Sequence, residues 1–274
     1  MKKISVKNFN LKYTIECGQF FRYRLLNDGS YLINYLDKLF VVKQIKDDEI
    51  EFSKNVDEKF ISNFFRLDDD LGEIYSVIST DEYMKQAISE YHGLRLIRQN
   101  PWECMVSYVC SSASNIPKIQ KNLELLSGFF GKPVTCKNYD SFSFPEIGSM
   151  DDFEKILSSK TGYRAKFLYE VNKRVSDSYF LKLMKLSYET MKSELVLLPG
   201  IGEKIADCII LFSLDKLEAF PMDTWIKKAL EDIYGLEIKN YKKAQEFAKE
   251  KWGRYAGYAQ QYIYMKYRSD SLKK

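Results

Sequence analysis

The chain has 274 residues, 45% of them hydrophobic and 15% aromatic, with 42 basic and 38 acidic side chains for a net charge of +4. This composition supports a sizeable core, in one large or two modest domains, and excludes a disordered chain. No apolar run approaches the ~18 residues of a membrane span. The N-terminal stretch MKKISVKNFNLKYTIECG lacks the apolar centre of a signal peptide. An intracellular protein is therefore expected, of the cytoplasm or nucleoid in a prokaryote.

Charge and residue types narrow the chemistry. Residues 1–159 carry 20 basic and 23 acidic side chains, residues 160–274 carry 22 and 15, so a polyanion is drawn to the second part. Five scattered cysteines, Cys17, Cys104, Cys110, Cys136 and Cys208, include no CxxC pair and fit reduced thiols. His92 is the single histidine, which leaves little for a histidine zinc site or a Ser-His-Asp triad.

In chain order, QFFRYRLL and SYLINYL flank Asn27-Asp28-Gly29, a hairpin signal. KLFVVKQI and EIEFS, either side of KDD, predict further strands. From about residue 58 the pattern turns helical, with DDDLGEIYSVI and DEYMKQAISEY carrying acidic starts and apolar residues three and four apart. PWECMVSYVCSS opens on Pro101, suited to a first helical turn. NIPKIQKNLELLSGFFG ends on Gly131 as a C-cap. Residues 132–150 read as loop, and short helices follow in DDFEKILSS, RAKFLYEVNKRVS and YFLKLMKL. The fold class expected is α+β: an N-terminal antiparallel sheet domain with flanking helices, residues 1–95, packed on a mainly helical domain, residues 96–274.

LPGIG, residues 198–202, lies between SYETMKSELVLL and KIADCIILFSL, two helical patterns. Pro199, Gly200 and Gly202 make a tight turn open to close backbone approach. The free N–H groups of the following helix point at that turn and can hold a phosphate. The segment at about 190–215 thus reads as a helix-hairpin-helix, a binder of the DNA backbone; an ordinary αα-turn is the plainer alternative. Lys204 sits in the first turn of the second helix, against the helix dipole. Nineteen residues on, Asp223 precedes a helix with Trp225, Ile226, Ala229 and Leu230 on its apolar face. An N-cap is the plainer role for Asp223.

LPGIGEK followed by this aspartate resembles the helix-hairpin-helix DNA glycosylase superfamily, whose bifunctional members pair a lysine and an aspartate at this spacing. The resemblance implies a glycosylase with lyase activity. Cleavage of an N-glycosidic bond builds positive charge on the sugar, which a carboxylate such as Asp223 stabilises. A neutral amine, Lys204, can attack the anomeric carbon and form a Schiff base that permits β-elimination. Endonuclease III relatives bear a four-cysteine iron–sulfur cluster near the C-terminus; with Cys208 as the last cysteine, that cluster cannot form here.

ECGQFFRYR, RLIRQNPWECMVSYVCSSASNI, TGYRAKFL, KIADC and YAGYAQQYIY resemble the 8-oxoguanine DNA glycosylase family, across residues 15 to 265. Duplex DNA containing 8-oxoguanine is the implied partner, and a monomer is expected. The resemblance implies that the Gly18 carbonyl accepts the N7 hydrogen of the oxidised base. It implies that Cys208 and Tyr264 sandwich the base and that Gln260 bonds its Watson–Crick edge. Plain packing is the alternative for Cys208, Tyr163 and Tyr264, and a bulge or turn for Gly18. Tyr163, with Arg164 beside it, is implied to wedge into the duplex, with Asn115, Lys118, Gly200 and Gly202 also on the DNA. No cofactor is required; a structural monovalent or divalent cation at the hairpin would use the carbonyls of Val196, Leu198 and Ile201.

Two departures stand out. Lys118 occupies the place of an arginine that reads the opposite cytosine, and lysine cannot fork onto a base edge. Trp225 occupies the place of a histidine that contacts phosphate. A glycosylase for oxidised pyrimidines or alkylated purines and a non-catalytic duplex-binding module are the competing readings; Gly18 and Cys208 argue against the first, the Lys204/Asp223 pair against the second.

Overall fold

The Asn27-Asp28-Gly29 turn closes a hairpin in the computed structural model, which describes residues 1–273. Leu26 N–H donates to the Ser30 carbonyl at 2.8 Å, and Gly29 takes φ +79°, a conformation free of strain only without a Cβ. The joined strands belong to an antiparallel sheet of β1 (Lys2–Ser5), β2 (Tyr23–Leu25), β3 (Tyr31–Tyr35), β4 (Lys38–Lys46) and β5 (Glu49–Phe52), in the order β1-β5-β4-β3-β2. Ile33, Phe40, Val42, Ile50 and Phe52 form its inner face and bury against α2 (Glu58–Phe64) through Ile61 and Phe64. The sequence reading missed β1 and the six-residue helix α1 (Leu11–Glu16). Each is too short for a periodic pattern, and α1 depends on the Asn10 side chain, which accepts from Tyr13 N–H.

Helices α3 (Leu71–Ile78) and α4 (Glu82–Glu90) start on the aspartate caps Asp70 and Asp81. Their apolar faces, Leu71, Ile74, Ile78, Met84 and Ala87, join the helical core. Each core draws on both parts of the chain: Cys17 and Phe21 belong to the helical core, and Ile97 to the sheet core.

The helical part comprises α5 (Pro101–Ser111), α6 (Ile116–Phe130), a hairpin of β6 (Pro133–Cys136) and β7 (Tyr139–Phe142), α7 (Phe153–Ile156), α8 (Arg164–Arg174), α9 (Asp177–Leu183), α10 (Tyr188–Val196), α11 (Glu203–Ser213), α12 (Thr224–Tyr234), α13 (Tyr241–Trp252) and α14 (Ala256–Leu272). Among the described residues no helix is long and apolar enough to cross a membrane. The β6–β7 hairpin corrects the loop expected at 132–150. Its Val134, Cys136 and Tyr139 cover Leu32, Leu39 and Val41 of the sheet, a long-range contact that local pattern does not reveal. Gly131 does cap α6, but with extended backbone, φ −90° and ψ 171°. Glycine is required there because a Cβ would lie 2.1 Å from the Ser143 carbonyl oxygen.

Candidate active site

The hairpin at 198–202 is built as its glycines demand. Ile201 N–H donates to the Leu198 carbonyl at 3.2 Å, closing the turn. Gly200 takes φ +78°, and a Cβ there would sit 2.5 Å from the Phe167 ring. Gly202 is the N-cap of α11, with φ −91°, no side-chain cap and open space where a Cβ would be. The first N–H groups of α11 are thus left for an acceptor from outside. Beside them Leu197 is 73% exposed.

From this turn α11 runs inward, buried continuously from Ile205 to Ser213. Lys204 stands at the boundary, its Nζ 5.2 Å from the centre of the Tyr108 ring. Asp223 caps α12, one carboxylate oxygen accepting Ile226 N–H at 2.8 Å. The capping role and a place in a cleft coexist. Lys204, Asp223, Gly18, Cys208, Gln260 and Tyr264, drawn from four separate stretches of chain, all line one cavity of about 60 Å³. A larger groove of about 720 Å³, between α6 and the sheet, contains none of these residues; its Lys121 is exposed and paired with Glu124 at 2.9 Å.

Gly18 takes φ +81° at the cavity wall. The next residue locks that turn. Gln19 Nε2 donates to the carbonyls of Thr14 and Arg95, both at 2.8 Å, and its Oε1 accepts Ile97 N–H at 2.7 Å. Its own carbonyl accepts from Gln99 Nε2 and from the Tyr108 hydroxyl. Burial raises the Cys17 and Cys208 thiols to about 12 each, so both walls carry neutral sulfur; Lys204 opposes the shift at Cys208. Burial likewise raises the Tyr264 hydroxyl. The side-chain carbonyl oxygens of Gln260 and Gln261 are buried with no partner. Unpaired buried amide oxygens are costly, and a hydrogen-bond donor on a ligand in the cavity would supply the missing partner.

Tyr108, Gln19 and Gln261 were missed by the sequence reading. A tyrosine inside an apolar helix reads as core, which Tyr108 also is: it stacks on Phe212 at 5.6 Å. Gln261 did carry a signal, a second amide beside Gln260.

The sequence of residues 2–105 matches the family model described as 8-oxoguanine DNA glycosylase, N-terminal domain. The N-glycosylase/DNA lyase of Arabidopsis thaliana is 27% identical, aligning 96% of this chain and 78% of its own length. A crystal structure of the Clostridium acetobutylicum 8-oxoguanine glycosylase/lyase in its apo form superposes with a TM-score of 0.88 at 31% identity, covering 96% of this chain and 98% of that one. Its complex with duplex DNA containing cytosine opposite 8-oxoguanine superposes at 0.90, 30% identical, covering 99% of each. The chain belongs to the 8-oxoguanine DNA glycosylase family.

The DNA-facing residues expected of an 8-oxoguanine DNA glycosylase divide into two groups. Tyr163 is 57% exposed, its hydroxyl 3.3 Å from Ser112 Oγ and its ring edge-on to Phe167. Lys118 and Asn115 lie exposed at the start of α6, where the Asn115 side chain accepts Lys118 N–H at 3.0 Å. Arg164 is a correction. It is 3% exposed, and its guanidinium is taken up by the backbone carbonyls of Ser112, Ala113 and Thr161. It braces the 112–113 turn, where Ala113 has φ +45°. Trp225, in place of the family's histidine, packs edge-on against Tyr267.

Proposed function

We propose that this chain removes 8-oxoguanine from duplex DNA and nicks the strand at the resulting site, with Lys204 as the nucleophile and Asp223 as the stabilising carboxylate. The observation that carries this reading is the convergence of both residues with Gly18, Cys208, Gln260 and Tyr264 on one cavity. The reaction acts on DNA, which places the enzyme inside the cell.

The neutral Lys204 amine attacks C1′, and the N-glycosidic bond breaks with its electron pair leaving on the base, which takes up a proton. Asp223 meets the positive charge that develops on the sugar. Ring opening leaves an imine on Lys204. The imine acidifies C2′–H, and loss of that proton expels the 3′ phosphate by β-elimination. Water then hydrolyses the imine and frees the lysine. Gly18 offers its carbonyl to the N7 hydrogen that guanine lacks, and an unmatched polar atom in a dry pocket discriminates strongly. A flipped base is held by amide contacts at its Watson–Crick edge and by stacking. The unliganded cavity is far below the ~300–1,000 Å³ of ligand pockets, so the base enters by displacing wall side chains.

At the hairpin, Val196, Leu198 and Ile201 would hold a cation through backbone carbonyls. The Leu198 carbonyl accepts one N–H and keeps a second lone pair, and neutral oxygen donors suit a hard cation. Its charge would face a DNA phosphate.

Borohydride trapping tests the reading, on duplexes carrying 8-oxoguanine opposite cytosine, thymine glycol, or no lesion, with wild type and Lys204→Gln. A covalent adduct on the 8-oxoguanine duplex alone, lost in the variant, is expected. An adduct on thymine glycol alone would overturn the base assignment, and tight binding without any adduct would overturn the nucleophile.

A further inference from the structure

Asp207 follows Lys204 by three residues on α11 but does not line the cavity. It is fully buried, and its carboxylate receives the Tyr188 hydroxyl at 2.7 Å, the Tyr241 hydroxyl at 2.6 Å and Lys192 Nζ at 3.0 Å. A buried carboxylate on an apolar helix is costly to desolvate, and apolar replacements of such groups are often no less stable. The three hydrogen bonds of Asp207 point to a role beyond packing.

Tyr241 supplies one. It is the first residue of α13. Its single O–H proton goes to Asp207, and its oxygen accepts Met222 N–H at 3.1 Å. Met222 immediately precedes Asp223. From the same helix, Gln245 Nε2 donates to the Phe220 carbonyl at 2.6 Å, and the Phe220 ring stacks on Trp252. The segment 220–222 has no regular structure of its own. It is anchored at both ends by α13, and through Tyr241 to the helix that carries Lys204.

We infer that Tyr241 and Asp207 are positioning residues, a strut that sets the backbone of Asp223 at a defined place relative to the backbone of Lys204. The inference rests on the reading of Lys204 and Asp223 as the reacting pair. Misplacing one reacting group by an ångström costs roughly 100-fold in rate without loss of the group itself. Excision needs both residues in register, whereas attack of Lys204 on an existing abasic site needs the charge of Asp223 less.

The test is single-turnover kinetics of wild type, Tyr241→Phe and Tyr188→Phe, on an 8-oxoguanine duplex and on a preformed abasic duplex. Active fraction is taken from burst amplitude, and thermal midpoints are measured alongside. Tyr241→Phe should excise roughly 10- to 100-fold more slowly at unchanged amplitude, with a smaller loss on the abasic duplex. Tyr188→Phe removes a bond to the same carboxylate and one to Gln245 Oε1 at 3.0 Å but spares the Met222 link and the Gln245 bond to the Phe220 carbonyl, and should stay within about threefold of wild type. Wild-type excision rates in Tyr241→Phe would overturn the strut. So would equal slowing in the two variants, or a loss confined to amplitude, since either marks plain stability. Wild-type protein inert on the 8-oxoguanine duplex would overturn the parent reading and the strut with it.

Discussion

The Lys204 amine stands 5.2 Å from the centre of the Tyr108 ring, and the Tyr108 hydroxyl reaches the Gln19 carbonyl at 3.1 Å. One side chain therefore touches both Lys204 and the turn that carries Gly18. The two functions separate by mutation. Tyr108→Phe keeps the ring face and leaves the Gln19 carbonyl with its second donor, Gln99, so adduct formation should stay near wild type. Tyr108→Leu removes the ring against which the Lys204 side chain lies and should slow adduct formation about tenfold or more, the scale of a misplaced amine. Trapping rates for the two variants check this.

Gly200 and Gly202 should fail differently. Gly200→Ala places a methyl 2.5 Å from the Phe167 ring on a residue at φ +78°, so about 2–4 kcal/mol of stability should be lost. Gly202→Ala meets no atom within 4 Å and has φ −91°, so the fold should hold. Its methyl stands at the open start of α11, and affinity for duplex DNA should fall. Thermal denaturation together with a DNA titration reads both.

Tyr163 and Arg164 are neighbours with opposite roles. Tyr163→Ala should leave the thermal midpoint unchanged, because the ring is 57% exposed, yet slow excision at least tenfold if the ring sustains base flipping. Arg164→Met should instead cost roughly 2 kcal/mol or more, because it orphans the carbonyls of Ser112, Ala113 and Thr161. A midpoint shift in Tyr163→Ala, or none in Arg164→Met, would reverse the assignment.

Glu103 makes stability pH-dependent. Burial pushes its carboxyl up from 4.5 to about 7, with Arg22 at 3.7 Å opposing the shift and Leu36 N–H bonded to it at 2.8 Å. Below about pH 4.5 both folded and unfolded chains hold the proton. Between there and about 7 the unfolded chain releases it while the folded chain keeps it, so this group lowers stability as pH rises through the window. Glu103→Gln retains an acceptor for Leu36 N–H and cannot titrate. The wild-type thermal midpoint should fall relative to the variant as pH goes from 4.5 to 7. A difference that stays flat across that range would show the carboxyl does not titrate there.

Lys118 sits exposed at the start of α6, in the place of an opposite-base-reading arginine. Without a planar fork it supplies charge but no paired donors to a cytosine edge. Excision rates opposite cytosine, adenine, guanine and thymine should fall within a few-fold of each other, and Lys118→Arg should widen the spread. Strong cytosine selectivity in the wild type would contradict the assignment.

Local sequence determined a great deal here. The turn at Asn27-Asp28-Gly29, the strands KLFVVKQI and EIEFS, the two helices around LPGIG and the cap at Asp223 rest on short-range rules of backbone conformation, capping and periodicity, and they appear where those rules put them. Membership in the glycosylase family was legible because the lysine and aspartate flank one contiguous segment. Other features depended on distant partners. The β6–β7 hairpin exists because the outer face of the sheet needs cover, and α3 and α4 left the N-terminal core because α14 lies against them. Arg164 became a brace because the 112–113 turn folds back over it. Tyr108, Gln19 and the Asp207–Tyr241 strut join residues 19 to 89 positions apart, whose hydrogen bonds leave no periodicity in the chain to be read. The candidate reacting residues were legible in the sequence. How they are held relative to one another was decided by tertiary packing, because a buried polar atom must find its partner wherever the fold has placed one.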